Sequence, residues 1–379
     1  MNASSGAAGL NVLVLQGGGA LGSYQAGVVE AVHAKSSLIN WAAGVSIGAI
    51  NSALIVGNPP ERRIERLRAF WELVTSGTDA LWWPSDGVHA AANQFNAAMV
   101  AVMGVPGFFH HHSPPRALYA AGLPGPISFY DTTPLKETLL RFIDFDLINA
   151  KKTRLSVGAV DVQTGNVVFF DNFKQEIRPE HIMASGALPP GFPPVEIGGR
   201  FYWDGGLVSN TPLQYVFDCA VDEDLTILQV DLFPARGPLP TTLDEASVRE
   251  KDIRFSSRTR LNTNDQVAIH RTKAAFRRLL KKLPPELRDD PDVVQLAARA
   301  REPSITIFQL IYRSRPYEGS AKDYEFSRAT MKEHWAAGLQ DAKHSLDHPD
   351  WQRLKTPEHG VVVYDLTPSR SRPSRKDET

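Results

Sequence analysis

Val12-Leu13-Val14-Leu15-Gln16-Gly17-Gly18-Gly19-Ala20-Leu21-Gly22 is followed a short way on by Gly44-Val45-Ser46-Ile47-Gly48, and these two stretches decide how the 379-residue chain folds. Each comes after a strand-like run and opens a helix-like one. A continuous apolar run ending in glycines is what a buried parallel strand requires. The first stretch offers backbone N–H groups at a helix N-terminus, where negative charge is stabilised. The second has the G-x-S-x-G spacing that exposes a serine nucleophile at a strand-to-helix turn. Its serine follows Gly18 by 28 positions. An anion hole beside an attacking hydroxyl is the pair of parts that ester hydrolysis needs.

The glycine loop has a common look-alike. Gly17, Gly19 and Gly22 match the dinucleotide-binding G-x-G-x-x-G, including its strand and helix context. That chemistry also needs an acidic residue about 20 positions on, to hold a ribose. Residues 31–60 contain neither Asp nor Glu. A phosphate-binding Walker loop fails as well, because no Lys-Ser or Lys-Thr follows the glycines. The nucleotide readings fall away.

Outward from this pair, spacing predicts a helix over 20–35, a strand over 41–45, an apolar helix over 46–56 and an amphipathic helix over 61–74. The last places Ile64, Leu67, Phe70, Trp71 and Val74 on one face. This β-α-β-α order predicts a parallel sheet with helices on both faces. Residues 77–128 break the pattern. Trp82, Trp83, Phe108, Phe109 and His110 to His112 stand there among Gly and Pro, which reads as an irregular insertion. It serves as a lid or interfacial patch, or as a subdomain packing its own aromatics.

Regular structure resumes with a helix over 132–142, then strands over 154–162 and 166–171 joined as a hairpin. A short helix follows over 179–187, a strand over 200–203 and a helix over 212–219. Further strands are expected over 225–232 and 304–312. Residues 271–283 read as a basic amphipathic helix, with Phe276, Leu279, Leu280 and Leu283 opposed by Lys and Arg. Such a helix lies on anionic lipid or is a solvated surface helix. A last helix is expected over 323–342, with Phe326, Met331 and Trp335 in the core.

Composition sets the outer limits. Apolar content of 42% and charged content of 22% are those of a globular chain. A formal net charge of −1 gives no bulk-charge argument for nucleic acid. Cys219 is the only cysteine, so no internal disulfide forms, which fits a reducing compartment. The apolar run at 12–15 is too short for a signal peptide, and no stretch nears the roughly 18–20 residues of a membrane span. The expected location is cytoplasmic, with any membrane contact peripheral.

A serine hydroxyl needs a base. Of the eleven histidines, His110 to His112 fall in the insertion, His181 starts a helix and His270 joins the basic helix, all read as surface positions. Asp204 is the stronger candidate. It ends the run Phe201-Tyr202-Trp203 and precedes Gly205-Gly206, where close approach is easy and aromatic surroundings raise carboxylate basicity. Asp161 and Asp171 compete for the role. The first reads as a turn carboxylate inside the hairpin; the second starts a loop without nearby glycines.

Taken together, these motifs resemble the patatin-like phospholipase family, in its bacterial acyl-hydrolase form with a C-terminal extension. The residues that carry the likeness are Gly17 to Gly22, Gly44 to Gly48, Ala184-Ser185-Gly186-Ala187-Leu188-Pro189, and Asp204-Gly205-Gly206 with Asn210 and Pro212. The resemblance implies a three-layer α/β/α fold with a mostly parallel sheet and a Ser–Asp dyad without histidine. Carried over, Ser46 is the nucleophile and Asp204 the base. The oxyanion hole falls to the loop amides of Gly17, Gly18, Gly19 and Ala20, centred on Gly18 and Gly19. Gly44, Gly48, Gly205 and Gly206 support the turns. The implied division is a catalytic core over 8–220 with the insertion at about 77–128, an extension of strands and helices over 221–366, and a disordered tail over 367–379.

The implied reaction is hydrolysis of an acyl ester, most directly a lipid ester of the phospholipase A kind, without metal or cofactor. Ala20, Leu21 and Ser23 leave the glycine loop uncharged. With the aromatic insertion, this also accommodates a neutral hydroxyacid (hydroxybutyrate) polyester or oligomer. A third reading is a catalytically silent lipid-binding protein on the same scaffold. The expected partners are an acyl-ester or lipid substrate and a membrane surface, met through 77–128 or 271–283, and not nucleic acid.

Overall fold

In the computed structural model, residues 9–35, 38–75, 85–112, 126–220, 223–298, 304–315, 317–348, 360–365 and 367 are described. Nine strands form one sheet: β1 (Leu10–Leu15), β2 (Trp41–Val45), β3 (Arg154–Asp161), β4 (Val167–Asp171), β5 (Val195–Ile197), β6 (Arg200–Asp204), β7 (Leu225–Asp231), β8 (Ile305–Ile311) and β9 (Val361–Asp365). β1 lies between β2 and β7, parallel to both. Parallel pairing continues from β7 through β8 to β9 on one side, and from β2 to β3 on the other. The last strands are antiparallel: β4 and β6 pair with β3, and β5 with β6.

Alternation along each strand builds two cores, because successive side chains point to opposite faces. Leu13 and Leu15 face the core that holds α1 (Gly22–Ala34) and α2 (Ile47–Val56). Val12 and Val14 face a second core capped by Leu213, Val216 and Phe217 of the Leu213–Cys219 helix. The result is the expected three-layer α/β/α arrangement. The helix α3 (Arg63–Leu73) buries Leu67, Phe70 and Trp71 as its spacing predicts, and Val74 just beyond it is buried too.

The Arg328–Leu346 helix lies against α1. A Cβ on Gly338 would stand 2.0 Å from the Tyr24 carbonyl, and one on Gly27 2.0 Å from that of Trp335. Two facing glycines thus let the helix backbones touch. The expected start at 323 is corrected to Arg328. Ser327 Oγ accepts the Thr330 amide and caps the helix there.

Other expectations also change. The insertion is not irregular throughout, since α4 (Asp86–Met103) runs for 18 residues after a Ser85 cap. Its alanine content supports a helix despite the surrounding Gly and Pro. Phe108 and Phe109 do pack among aromatics, on Phe192, Phe326 and Tyr130. Trp82 and Trp83 lie outside the described residues, as does the tail from 368. The basic segment is the end of a longer helix, Thr259–Leu280, with Leu279 exposed. Strands β5 and β9 carried no sequence signal. Among the described residues, no helix is long and apolar enough to cross a membrane.

Candidate active site

Sheet register brings Ser46 and Asp204 together. On β3, Ser156 pairs with Ala43 on one edge and Asp171 on the other, while Ala159 pairs with Val168 and Asp204. β6 therefore continues the same edge of β3 that β2 occupies. β2 stops at Val45, opposite Gly158, and the next rung is Asp204 opposite Ala159. The chain leaving β2 as Ser46 meets the strand end that replaces it.

Ser46 caps α2 with φ +56°, ψ −126°, a strained conformation for a residue with a Cβ. Gly48 makes the turn possible, because a Cβ there would lie 2.3 Å from the Leu15 carbonyl of β1. The Ser46 amide donates to Ser185 Oγ at 3.0 Å, and Ser185 Oγ donates to the Gly158 carbonyl at 2.6 Å. Ser185 thus fastens the turn to β3. Its stretch is distinctive in sequence, but nothing in it signals this role.

Asp204 is buried, 2% exposed. Burial pushes its carboxyl up to about 7, against the opposing hydrogen bonds from Ser46 and from the Gly206 amide at 2.7 Å. A carboxylate in an apolar site resists ionisation, so this one exchanges its proton near neutral pH. The two competing carboxylates are committed elsewhere. Asp161 takes the amides of Gln163 and Thr164 and an Arg200 guanidinium, and these contacts hold it below its usual range. Asp171 feels burial too, but Arg154, the Phe173 amide and Ser156 more than offset it and keep it low.

The glycine loop lies beside this pair. A Cβ on Gly17 would fall 2.9 Å from Ser46 Cβ and 2.3 Å from Asn210 Oδ1. Asn210 Nδ2 donates to the carbonyls of Gly17 at 3.0 Å and Phe255 at 2.9 Å. Buried Gln16 accepts the amides of Leu232 and Phe233, tying the loop to the end of β7. The Gly17 amide is taken by the Asn210 carbonyl and that of Ala20 by the Asp323 carbonyl. Among the described residues, no acceptor meets the amides of Gly18 and Gly19. Sequence reasoning identified the loop but not Gln16, Asp323 or the work of Asn210.

These groups line one cavity of about 570 Å³. Phe108, Phe109, Phe192, Phe233 and Phe326 supply much of its wall. A neighbouring cavity of about 530 Å³ shares Val100, Phe109 and Phe326 with it and opens along α4. None of the described lining residues of the main cavity is a histidine. The surface reading of two histidines is corrected. His181 is buried, its Nδ1 accepting the Arg178 amide at the start of its helix, and His270 is buried as well.

Comparison with known proteins supplies a frame for this geometry. Residues 13–217 match the family model of patatin-like phospholipases, and residues 253–358 match a second one, described as patatin phospholipase. No curated protein matches the chain. Among solved structures it is similar to VipD from Legionella pneumophila, at 12% identity over 94% of this chain and 72% of VipD, with a TM-score of 0.39. Human GIVD cytosolic phospholipase A2 aligns at 12% identity over 89% of this chain and 58% of its own, with a TM-score of 0.40. The type III effector ExoU aligns at 14% identity over 88% of this chain and 53% of its own, with a TM-score of 0.26.

Proposed function

The chain belongs to the patatin-like phospholipase family, and on that premise we propose that it hydrolyses acyl esters through a Ser46–Asp204 dyad. The observation that carries this reading is Ser46, held in a strained backbone conformation, lining one cavity with a buried carboxylate pushed up to about 7 and with two amides that meet no acceptor among the described residues. Ionised Asp204 accepts the Ser46 proton as Oγ attacks the ester carbonyl carbon. A general base works best when its pKa is near the operating pH. The oxygen that gains charge is met by the amides of Gly18 and Gly19, which narrows the expected hole from four amides to two. Collapse of the tetrahedral intermediate breaks the ester C–O bond, and Asp204 returns the proton to the departing alkoxide. Water then attacks the acyl-serine with Asp204 again taking a proton, and Asp204 returns it to Ser46 Oγ as the acyl C–Oγ bond breaks and the carboxylic acid leaves.

The wall of the cavity supports an apolar acyl chain. Its charged lining residues, among those described, are Asp204 and Asp323, and Asp323 already holds Lys251 at 2.7 Å. This favours an uncharged ester at the reacting end, lipid or polyester, over one needing a phosphate counter-ion there. Exposed Phe95, Val102 and Met103 on α4, beside the second cavity, support peripheral contact with lipid.

The test is turnover of p-nitrophenyl butyrate, diacylglycerol, phosphatidylcholine and hydroxybutyrate oligomers by wild type and Ser46→Ala. Turnover abolished in the variant, with fluorophosphonate labelling confined to Ser46 in the wild type, is the expected result. Equal turnover by both proteins would sink the reading. A folded wild type that neither turns over an ester nor labels would favour the silent lipid-binding alternative.

A further inference from the structure

The glycine loop is held from a distant part of the chain. Asp323 presents its backbone carbonyl to the Ala20 amide at 2.8 Å. The contact is close: a Cβ on Gly19, whose φ is +55°, would stand 2.0 Å from the same oxygen. Gly18 and Gly19 therefore point where the Asp323 carbonyl lets them. Asp323 belongs to a short connection after the Gly319–Ala321 turn, with no strand or helix to fix it.

What fixes it is a crossed pair of charges. The Leu243–Phe255 helix carries Lys251-Asp252, and the connection carries Lys322-Asp323. Lys251 Nζ donates to Asp323 Oδ1 at 2.7 Å and to the Ser320 carbonyl at 2.7 Å. Lys322 Nζ, wholly buried, donates to Asp252 Oδ1 at 2.6 Å and to Ser314 Oγ at 2.8 Å. Each lysine also lies behind an aromatic wall of the cavity, 5.1 Å from the Tyr324 ring centre for Lys251 and 5.5 Å from that of Phe233 for Lys322. Buried ion pairs contribute little net stability relative to apolar replacements, and their best-attested use is fixing register. Two reciprocal pairs between adjacent residues allow one register of connection against helix, and that register sets where the Asp323 carbonyl stands.

We propose that Lys251 and Lys322 are positioning residues, which act through the Asp323 carbonyl to aim the Gly18 and Gly19 amides at the reacting oxygen. The proposal rests on the serine-hydrolase reading above. It makes the segments after Leu225 part of the catalytic apparatus without any of their side chains touching the ester carbonyl.

The experiment uses the full chain and three variants. Lys251→Met breaks one arm of the cross, and Lys251→Arg keeps its charge and donors. Lys322→Met with Asp252→Leu replaces the buried pair by apolar side chains, so that neither charge is stranded. For each, kcat and KM on p-nitrophenyl butyrate, thermal midpoint, and amide hydrogen exchange over residues 17–22 are measured.

A small misplacement of catalytic groups slows chemistry by up to about a hundred-fold. Lys251→Met and the double variant are expected to lower kcat about ten- to hundred-fold with KM within about two-fold, the signature of a loss felt in the transition state. Exchange over 17–22 should quicken, and Lys251→Arg should restore most of kcat. Folded variants with kcat within about two-fold of wild type, or with unchanged exchange over 17–22, overturn the proposal. Should the double variant not fold, Lys251→Met decides alone, since that side chain is partly exposed. The two readings fail separately. Ser46→Ala retaining turnover overturns the dyad, whereas exchange over the loop reports on the clamp whether or not the dyad holds.

Discussion

The strand–turn–helix units over residues 10–56 and the segments after Leu225 both reach the cavity, but by different physical routes. The first units are local. A parallel strand ends, the chain turns under glycine, and a helix begins, so Ser46 and the Gly17–Gly19 amides arrive within a few residues of strands they continue. The later segments add three parallel strands beyond β1 and then reach back with isolated groups: the Phe233 and Phe326 rings, the Phe255 carbonyl on Asn210, the Asp323 carbonyl on Ala20. The difference teaches that a strand-end serine and a glycine loop can be placed by local strand–turn–helix units, while the carbonyls that occupy or leave free the loop amides come by tertiary contact from another part of the chain.

Substitution at the proposed dyad tests the pairing of the local serine turn with the end of β6 and should give the largest effect. Ser46→Ala and Asp204→Asn are each expected to reduce kcat on a short ester by about 10⁴-fold, measured on protein shown folded by circular dichroism. Gly19→Ala strikes where the two regions meet. The methyl group would clash with the Asp323 carbonyl in a backbone conformation that disfavours side chains. Loss of a donor of this kind slows turnover by about 10²–10³-fold; a kcat near wild type for this variant would show that the clamp does not govern the amides.

Acidity should give a smaller, graded effect. Asp204 must be ionised to act, and burial sets it at about 7. The kcat/KM profile is therefore expected to rise with pH, about ten-fold per unit below 7, and level off above it. The sign for stability is opposite. A carboxyl raised in the folded state binds its proton more tightly there, so its contribution is present at low pH and lost as pH rises through the folded value. Asp204→Asn should gain on wild type between pH 5 and 8, by about 3 kcal/mol at most, as read by denaturant melts at both pH values. A constant difference between the two proteins would contradict a buried, raised carboxyl. At the small end, Arg62→Ala removes only an exposed i,i+3 pair with Glu65. It is expected to change stability by less than about 0.5 kcal/mol and leave kcat unchanged.

How much of this was legible in the sequence follows the same division. Strands β1 and β2, helices α1 to α3 and the β3–β4 hairpin are local, and periodicity with glycine punctuation marks them closely. The helix α4 was hidden because flanking Gly, Pro and aromatic residues masked an alanine-rich run. β5 has three residues and β9 follows a long non-strand stretch, so neither offers enough alternation to register. Among site residues, Ser46 and Asp204 stand out by their glycine neighbours. The candidate oxyanion amides were legible only as a loop. Which of them have acceptors depends on the carbonyls of Asn210 and Asp323, and a backbone carbonyl has no sequence signature.

The sequence by itself determined the strands and helices over residues 10–74 apart from their exact ends, the β3–β4 hairpin, the position of the candidate nucleophile at a strand end, and a carboxylate candidate at another. These follow from period, capping and steric freedom, all short-range properties of the chain. Tertiary structure alone decided that β6 takes over the edge of β3 where β2 stops, which puts Asp204 against Ser46. It also decided that, among the described residues, two of four loop amides meet no acceptor, and that crossed lysine–aspartate pairs fix the connection whose carbonyl meets the loop. Those outcomes depend on register, burial and partners hundreds of residues away, which only the folded chain brings within hydrogen-bonding distance.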